Sequence, residues 1–194
     1  MSSSRVALVI GHSFVSRLRV FVRDFKHHSL GLKRDFVVFT YGIPGIKLDK
    51  FNHELSHMVS HISPEIVIIQ MGSNDLSHSS PEQVSSKLID SAHICLSLGV
   101  KKVFINQLFP RKLSKIKSTH HTPVDFNTRI NKTNQLLSSL SDQIHFYFWR
   151  HRTMSNWTRL IGNDGVHLSH QGLCKYYRSV RGAILNGFNC THLS

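Results

Sequence analysis

Three short stretches of this 194-residue sequence hold the residue types that acyl transfer requires. Gly11-His12-Ser13 offers a hydroxyl, and Gly72-Ser73-Asn74-Asp75 offers a side-chain amide. Asp164-Gly165-Val166-His167 offers an imidazole with a carboxylate three residues before it. Acyl transfer needs a nucleophile, a base to take its proton, a group to orient that base, and donors for the oxyanion. Ser13, His167 and Asp164 are the candidates for the first three roles. An Asp three residues before a His can reach the ring nitrogen that faces away from the serine. The amides of Ser13 and Gly45 and the side chain of Asn74 are the candidate donors. Gly45 closes the turn Gly42-Ile43-Pro44-Gly45, and without a side chain its N–H can approach an oxyanion closely. Taken alone, Ser13 would be read as a helix N-cap, the ordinary role of a serine between a strand and a helix.

The elements around these stretches explain how they can meet. Apolar runs at Arg5–Ile10, Asp35–Tyr41, Glu65–Met71, Lys102–Leu108 and Ile144–Trp149 read as five strands, buried throughout. Between them lie segments with helical periodicity: Phe14–His28, Lys47–Ile62, Ser80–Leu98 and Val124–Leu140, with a last helix at His170–Asn186. Pro81 suits a first helical position, and Asp125 is a candidate N-cap for the fourth helix. Strands that alternate with helices and are apolar on both faces argue for a parallel sheet covered on both sides. The expected fold is α/β, a flavodoxin-like three-layer α/β/α sandwich with a five-stranded parallel sheet. One domain spans residues 1–194, with a core from about 5 to 187. The polar stretches follow strands or precede the last helix, so they gather at the carboxyl edge of the sheet, where open α/β folds bind ligands.

At this point the sequence resembles the SGNH (GDSL-like) hydrolase family. The serine block is Val-Ile-Gly-His-Ser, the glycine block Gly-Ile-Pro-Gly, the asparagine block Met-Gly-Ser-Asn-Asp, and the last block Asp-Gly-Val-His-Leu-Ser. The four occur in the family's order, and the resemblance runs from Arg5 to about Leu185. It implies a serine esterase that needs no cofactor, with Ser13 as nucleophile, His167 as base and Asp164 as its orienter. It also implies an oxyanion hole made by Ser13 N–H, Gly45 N–H and Asn74. The expected reaction is hydrolysis of a carboxylic ester, an O-acetyl or lipid acyl group, through an acyl-enzyme. The same residues would serve an acyltransferase. One departure is His12, which stands where the family usually has Asp. Small, basic and carrying Gly-His-Ser, the chain more weakly resembles the esterase-type domains encoded by some animal retroelements.

Other signals point elsewhere. The formal net charge is +13, and a basic surface attracts nucleic acid or anionic membrane. The rival reading is therefore a binding module that keeps the fold and holds such a partner. The stretch 109–123 is long and basic, with Arg111, Lys112, Lys115, Lys117, His120 and His121. It is either a solvated loop or a lid or anion-binding rim at the active edge. His53-Glu54-Leu55-Ser56-His57 is a literal H-E-x-x-H. The apolar residues Leu48, Phe51, Leu55, Met58, Val59 and Ile62 claim the opposite face of that helix, so His53, His57 and His61 should face solvent and bind a metal only incidentally. Cys95, Cys174 and Cys190 form no pairing pattern and read as free thiols. Trp149 and Trp157 either pack the last loop or line a pocket. No signal-peptide pattern and no membrane-length apolar run occurs, which makes an intracellular location the expectation, cytoplasmic or nuclear.

Overall fold

The computed structural model describes residues 4–24, 28–112, 123–141, 146–154 and 156–189. The elements are β1 (Arg5–Gly11), α1 (Ser13–Asp24), β2 (Phe36–Gly42), α2 (Leu48–Ile62), β3 (Ile66–Gln70) and α3 (Pro81–Ser97). They continue with β4 (Lys102–Asn106), α4 (Pro123–Leu140), β5 (Tyr147–Trp149), the single turn α5 (Trp157–Leu160) and α6 (His170–Asn189). The strands form one sheet in the order β2-β1-β3-β4-β5. Every adjacent pair is parallel. This is the expected flavodoxin-like order, and its switch point lies between β1 and β3.

Alternation along the strands builds two cores. Leu8, Ile10, Val67, Ile69, Val103 and Ile105 point to one face and pack with Phe51 and Leu55 of α2, Val84 and Leu88 of α3, and Phe126 and Ile130 of α4. Ala7, Val9, Ile66, Ile68 and Phe104 point to the other and pack with Val15 and Leu18 of α1 and Val180 and Ile184 of α6. Each such side chain, fully buried, stabilises the fold by roughly 1.5–3 kcal/mol. All five residues of β3 are buried, as a central strand between covered faces must be.

The boundaries show where local sequence signals were overridden. α1 is described as far as Asp24, residues 25–27 lie outside the described residues, and a 3-10 turn at His28–Gly31 has Ser29 and Leu30 at positive φ. Leu30 is buried in that turn. α4 begins at Pro123, which puts Asp125 in its first turn and not at its N-cap. The stretch 150–162, between the last strand and the Asp164 loop, contains α5. Ser80 caps α3 as the sequence suggests: its hydroxyl accepts from Gln83 N–H while the Gln83 side chain accepts from Ser80 N–H, with Pro81 in the first turn. Residues Lys115, Lys117, His120, His121 and Cys190 lie outside the described residues. Among the described residues, no helix is long and apolar enough to cross a membrane.

Candidate active site

Ser13 begins α1 directly after β1. Its hydroxyl does not cap that helix. The carbonyl of His12 accepts from Val15 N–H (3.0 Å) and Ser16 N–H (3.3 Å), which leaves the Ser13 side chain for another partner. That partner is His167: Nε2 lies 3.0 Å from Ser13 Oγ. On the far side of the ring, Nδ1 lies 2.7 Å from Asp164 Oδ2. Asp164 Oδ1 accepts from the amides of Val166 (3.0 Å) and His167 (2.9 Å), an Asx-type turn that fixes the carboxylate. The sequence spacing of three is thus what lets one short turn hold both ends of the pair.

Electrostatics favour an ionised Asp164. Burial pushes its carboxyl up, but the two backbone amides and the imidazole outweigh burial and hold it at about 2. Arg17 adds a guanidinium 3.8 Å from Oδ2. A carboxylate on Nδ1 keeps the proton there and leaves Nε2 free to accept from the serine.

The loop after β3 and the turn after β2 are pinned to each other. Asn74 Nδ2 donates to Ile46 O (3.2 Å), which uses one of its two N–H groups. Asp75, the last residue of the Gly72–Asp75 stretch, reaches across to α2 and accepts from Leu48 N–H at 2.9 Å. It replaces the side-chain cap that Lys47 does not provide. Asp75 is buried, and desolvation raises its pKa even though the Leu48 amide opposes the shift. Gly45 sits between these contacts at φ +75°. A Cβ there would meet no protein atom within 4 Å, so among its protein neighbours it is the positive φ that favours glycine. Gly42 is the glycine required by close approach, since its Cβ would fall 2.2 Å from Ser16 N. Among the described residues, the Ser13 and Gly45 amides donate to no protein acceptor.

His12 is buried beside this site. Its Nε2 lies 3.1 Å from Ser73 Oγ, and Nδ1 has no partner among the described residues. Desolvation, with help from the charges of Arg111 and His167, lowers its pKa to about 3. The ring is therefore neutral at physiological pH and adds no positive charge next to His167. Phe14 separates the two imidazoles, its ring centroid 5.2 Å from His12 and 5.8 Å from His167.

Two residues, Arg111 and Lys112, make contacts that had no signal in the sequence beyond their position after β4. Arg111 donates to Ser73 O (3.4 Å), lies over the Phe126 ring (4.4 Å) and is clamped by Asn127, which pairs with both its N–H and its C=O. Lys112 N–H donates to Gly165 O at 2.8 Å, tying this segment to the loop that carries Asp164 and His167. The H-E-x-x-H residues His53 and His57 are exposed on α2, and His57 stacks on His61. Among the described residues, no group of three or more His, Cys, Asp or Glu is placed to hold a metal ion. Cys95 is buried, which pushes its thiol up to about 12. Trp157 packs on Phe109 (5.0 Å), whereas Trp149 faces a hollow at the sheet edge.

A doubly wound parallel sheet with Ser, His and Asp in one hydrogen-bonded chain beyond its carboxyl edge is the arrangement of an SGNH-type hydrolase. The chain belongs to the GDSL-like lipase/acylhydrolase family, whose sequence model matches residues 12–175. Solved structures agree on the fold. A GDSL-like lipase from Bacteroides thetaiotaomicron superposes with a TM-score of 0.75 at 16% identity, over 94% of this chain and 88% of that one. A lipase/acylhydrolase from Enterococcus faecalis gives 0.70 at 18% identity, over 92% and 96%. A mutant acetyl-xylooligosaccharide esterase from Geobacillus gives 0.72 at 14% identity, over 94% of each chain. No curated protein sequence matches this chain.

Proposed function

We propose that the chain is a serine esterase that hydrolyses carboxylic esters through an acyl-enzyme. The observation that carries this reading is the continuous chain from Ser13 Oγ to His167 (3.0 Å) to Asp164 (2.7 Å). Ser13 Oγ attacks the ester carbonyl while His167 Nε2 takes its proton. Asp164 holds the imidazole and stabilises the imidazolium that forms. The oxyanion is received by Ser13 N–H, Gly45 N–H and the second N–H of Asn74 Nδ2, donors that need not reorganise during the reaction. The imidazolium then protonates the departing alkoxide. A water, deprotonated by the same ring, releases the acid and restores Ser13. The neutral His12 ring keeps a second positive charge away from the base.

The acyl group is an acetyl or a longer lipid acyl chain, and a panel of p-nitrophenyl esters from acetate to palmitate sorts these cases. Ser13→Ala should lower kcat/KM at least about a thousandfold on every ester turned over, with an unchanged circular dichroism spectrum. Turnover that survives in Ser13→Ala would refute the mechanism.

A further inference from the structure

We infer that the free edge of β5 forms a second binding site, for single-stranded nucleic acid. A hollow of about 700 Å³ lies there between the ends of α4 and α6. That volume falls within the roughly 300–1,000 Å³ range of ligand clefts. None of the residues of the candidate active site lines it, and the inference does not depend on the esterase reading.

The hollow pairs flat rings with cations. Tyr147 and Trp149 are two residues apart on β5 and so share a face of the sheet. Both lean on Phe104: Tyr147 stacks on it at 5.2 Å, and Trp149 meets it edge-on at 5.8 Å. Tyr147 is 48% exposed, unusual for an aromatic side chain with that support beneath it. Trp149 is held by a hydrogen bond from Nε1 to Ser179 Oγ (3.0 Å), and Ser179 Oγ lies 2.8 Å from the buried His151 Nδ1. The rings are therefore a fixed platform. Arg150, Arg152 and Arg178 stand exposed around it. Arg150 Nη2 is braced by Ser138 Oγ at 2.8 Å, and among the described residues none of the three forms an ion pair.

Composition agrees with the lack of ion pairs for these three arginines among the described residues. From residue 143 to the end, the sequence has six Lys and Arg but one acid, Asp164, which is engaged by His167 and Arg17. Guanidinium groups beside stacking aromatics match a ligand that repeats a phosphate and a planar base, because the cations track the backbone and the rings accept any base face. The concave shape disfavours a membrane surface. A strand of nucleic acid can enter a hollow that a bilayer can only bridge.

The test is fluorescence anisotropy of the full chain with a labelled twelve-nucleotide oligouridine, with oligothymidine and phosphatidylserine vesicles as parallel probes. The site predicts binding that weakens steeply between 50 and 200 mM salt. Arg150→Gln/Arg152→Gln/Arg178→Gln should weaken it at least about tenfold and flatten the salt dependence, and Tyr147→Ala should weaken it about fivefold or more. The control Arg19→Gln/Lys33→Gln/Arg34→Gln removes the same charge from other exposed positions and should cost less than about threefold. Thermal melting of each variant identifies any that fails to fold, and the single changes Arg150→Gln, Arg152→Gln and Arg178→Gln, each expected to weaken binding and lower the salt slope by about one, then replace the triple. Stronger binding of oligouridine or of oligothymidine decides between RNA and DNA. No oligonucleotide binding at 50 mM salt, equal losses in the two charge sets, or binding of vesicles alone would overturn the inference.

Discussion

The carboxyl end of β1 and the free edge of β5 handle charge in opposite ways. At β1 the groups answer one another: Ser13 to His167, His167 to Asp164, and Asp164 to two amides and Arg17. At β5 three guanidinium groups surround an aromatic platform with no carboxylate partner among the described residues. The first region has its hydrogen bonds paired without a ligand, as the proposed mechanism requires. The second is balanced only when an anion arrives. The difference shows that a net charge of +13 says little about the reaction. The only acid in the last quarter of the chain, Asp164, is engaged by His167 and Arg17, and the other basic residues there are left without it.

The largest effect that could break this contrast is at Asp164. Asp164→Asn removes the acceptor for His167 Nδ1 and lets the ring adopt the wrong tautomer. It should reduce kcat about 100- to 10,000-fold. In the wild-type chain Asp164, held at about 2, stays ionised across the working range. An Asn variant with near wild-type turnover would sever Asp164 and His167 from the chemistry.

A medium effect concerns the buried imidazoles, one in each region. His12 and His151 both have pKa values lowered to about 3 by burial. Below 6.5, the ordinary value, the unfolded chain takes up protons that the folded chain refuses until about pH 3. Stability should thus fall as pH drops through that window, by up to about 1.4 kcal/mol per pH unit for each ring. Urea unfolding at several pH values measures the slope, and His12→Gln should remove up to half of it. A stability independent of pH between 4.5 and 6.5 would mean that the rings are not held neutral by burial.

The smallest effect sharpens the geometry of the hole. Gly45→Ala has room for its methyl group but must hold φ +75°. It should cost about 1 kcal/mol of stability, seen as a lower urea midpoint. A change well above that would point to a steric role that the open surroundings do not show.

Most of the framework was legible because parallel strands and amphipathic helices leave periodic marks. The order of the glycine-bounded blocks also brought Ser13, Asn74, Asp164 and His167 to one edge. What was hidden depends on contacts between distant residues. Nothing local tells Asp75 to cap α2, 27 positions away in sequence. Nothing in Arg111 or Lys112 foretells the clamp to Asn127 or the link to Gly165. Asp125 looked like a cap by residue type, yet Pro123 starts the helix. The positive φ of Gly45 is likewise a property of the folded turn that the residue type alone does not reveal. Trp149 needed β5 to be recognised as an edge before its surroundings had meaning.

The central claim is that Ser13 is the nucleophile, and covalent trapping addresses it without assuming a substrate. The wild-type chain is incubated with a fluorophosphonate, and the adduct is mapped by peptide mass spectrometry. The account predicts one stoichiometric adduct on Ser13, which forms more slowly as pH falls and is absent in His167→Ala. An intact Ser13 under those conditions, or an adduct on another residue, would contradict it.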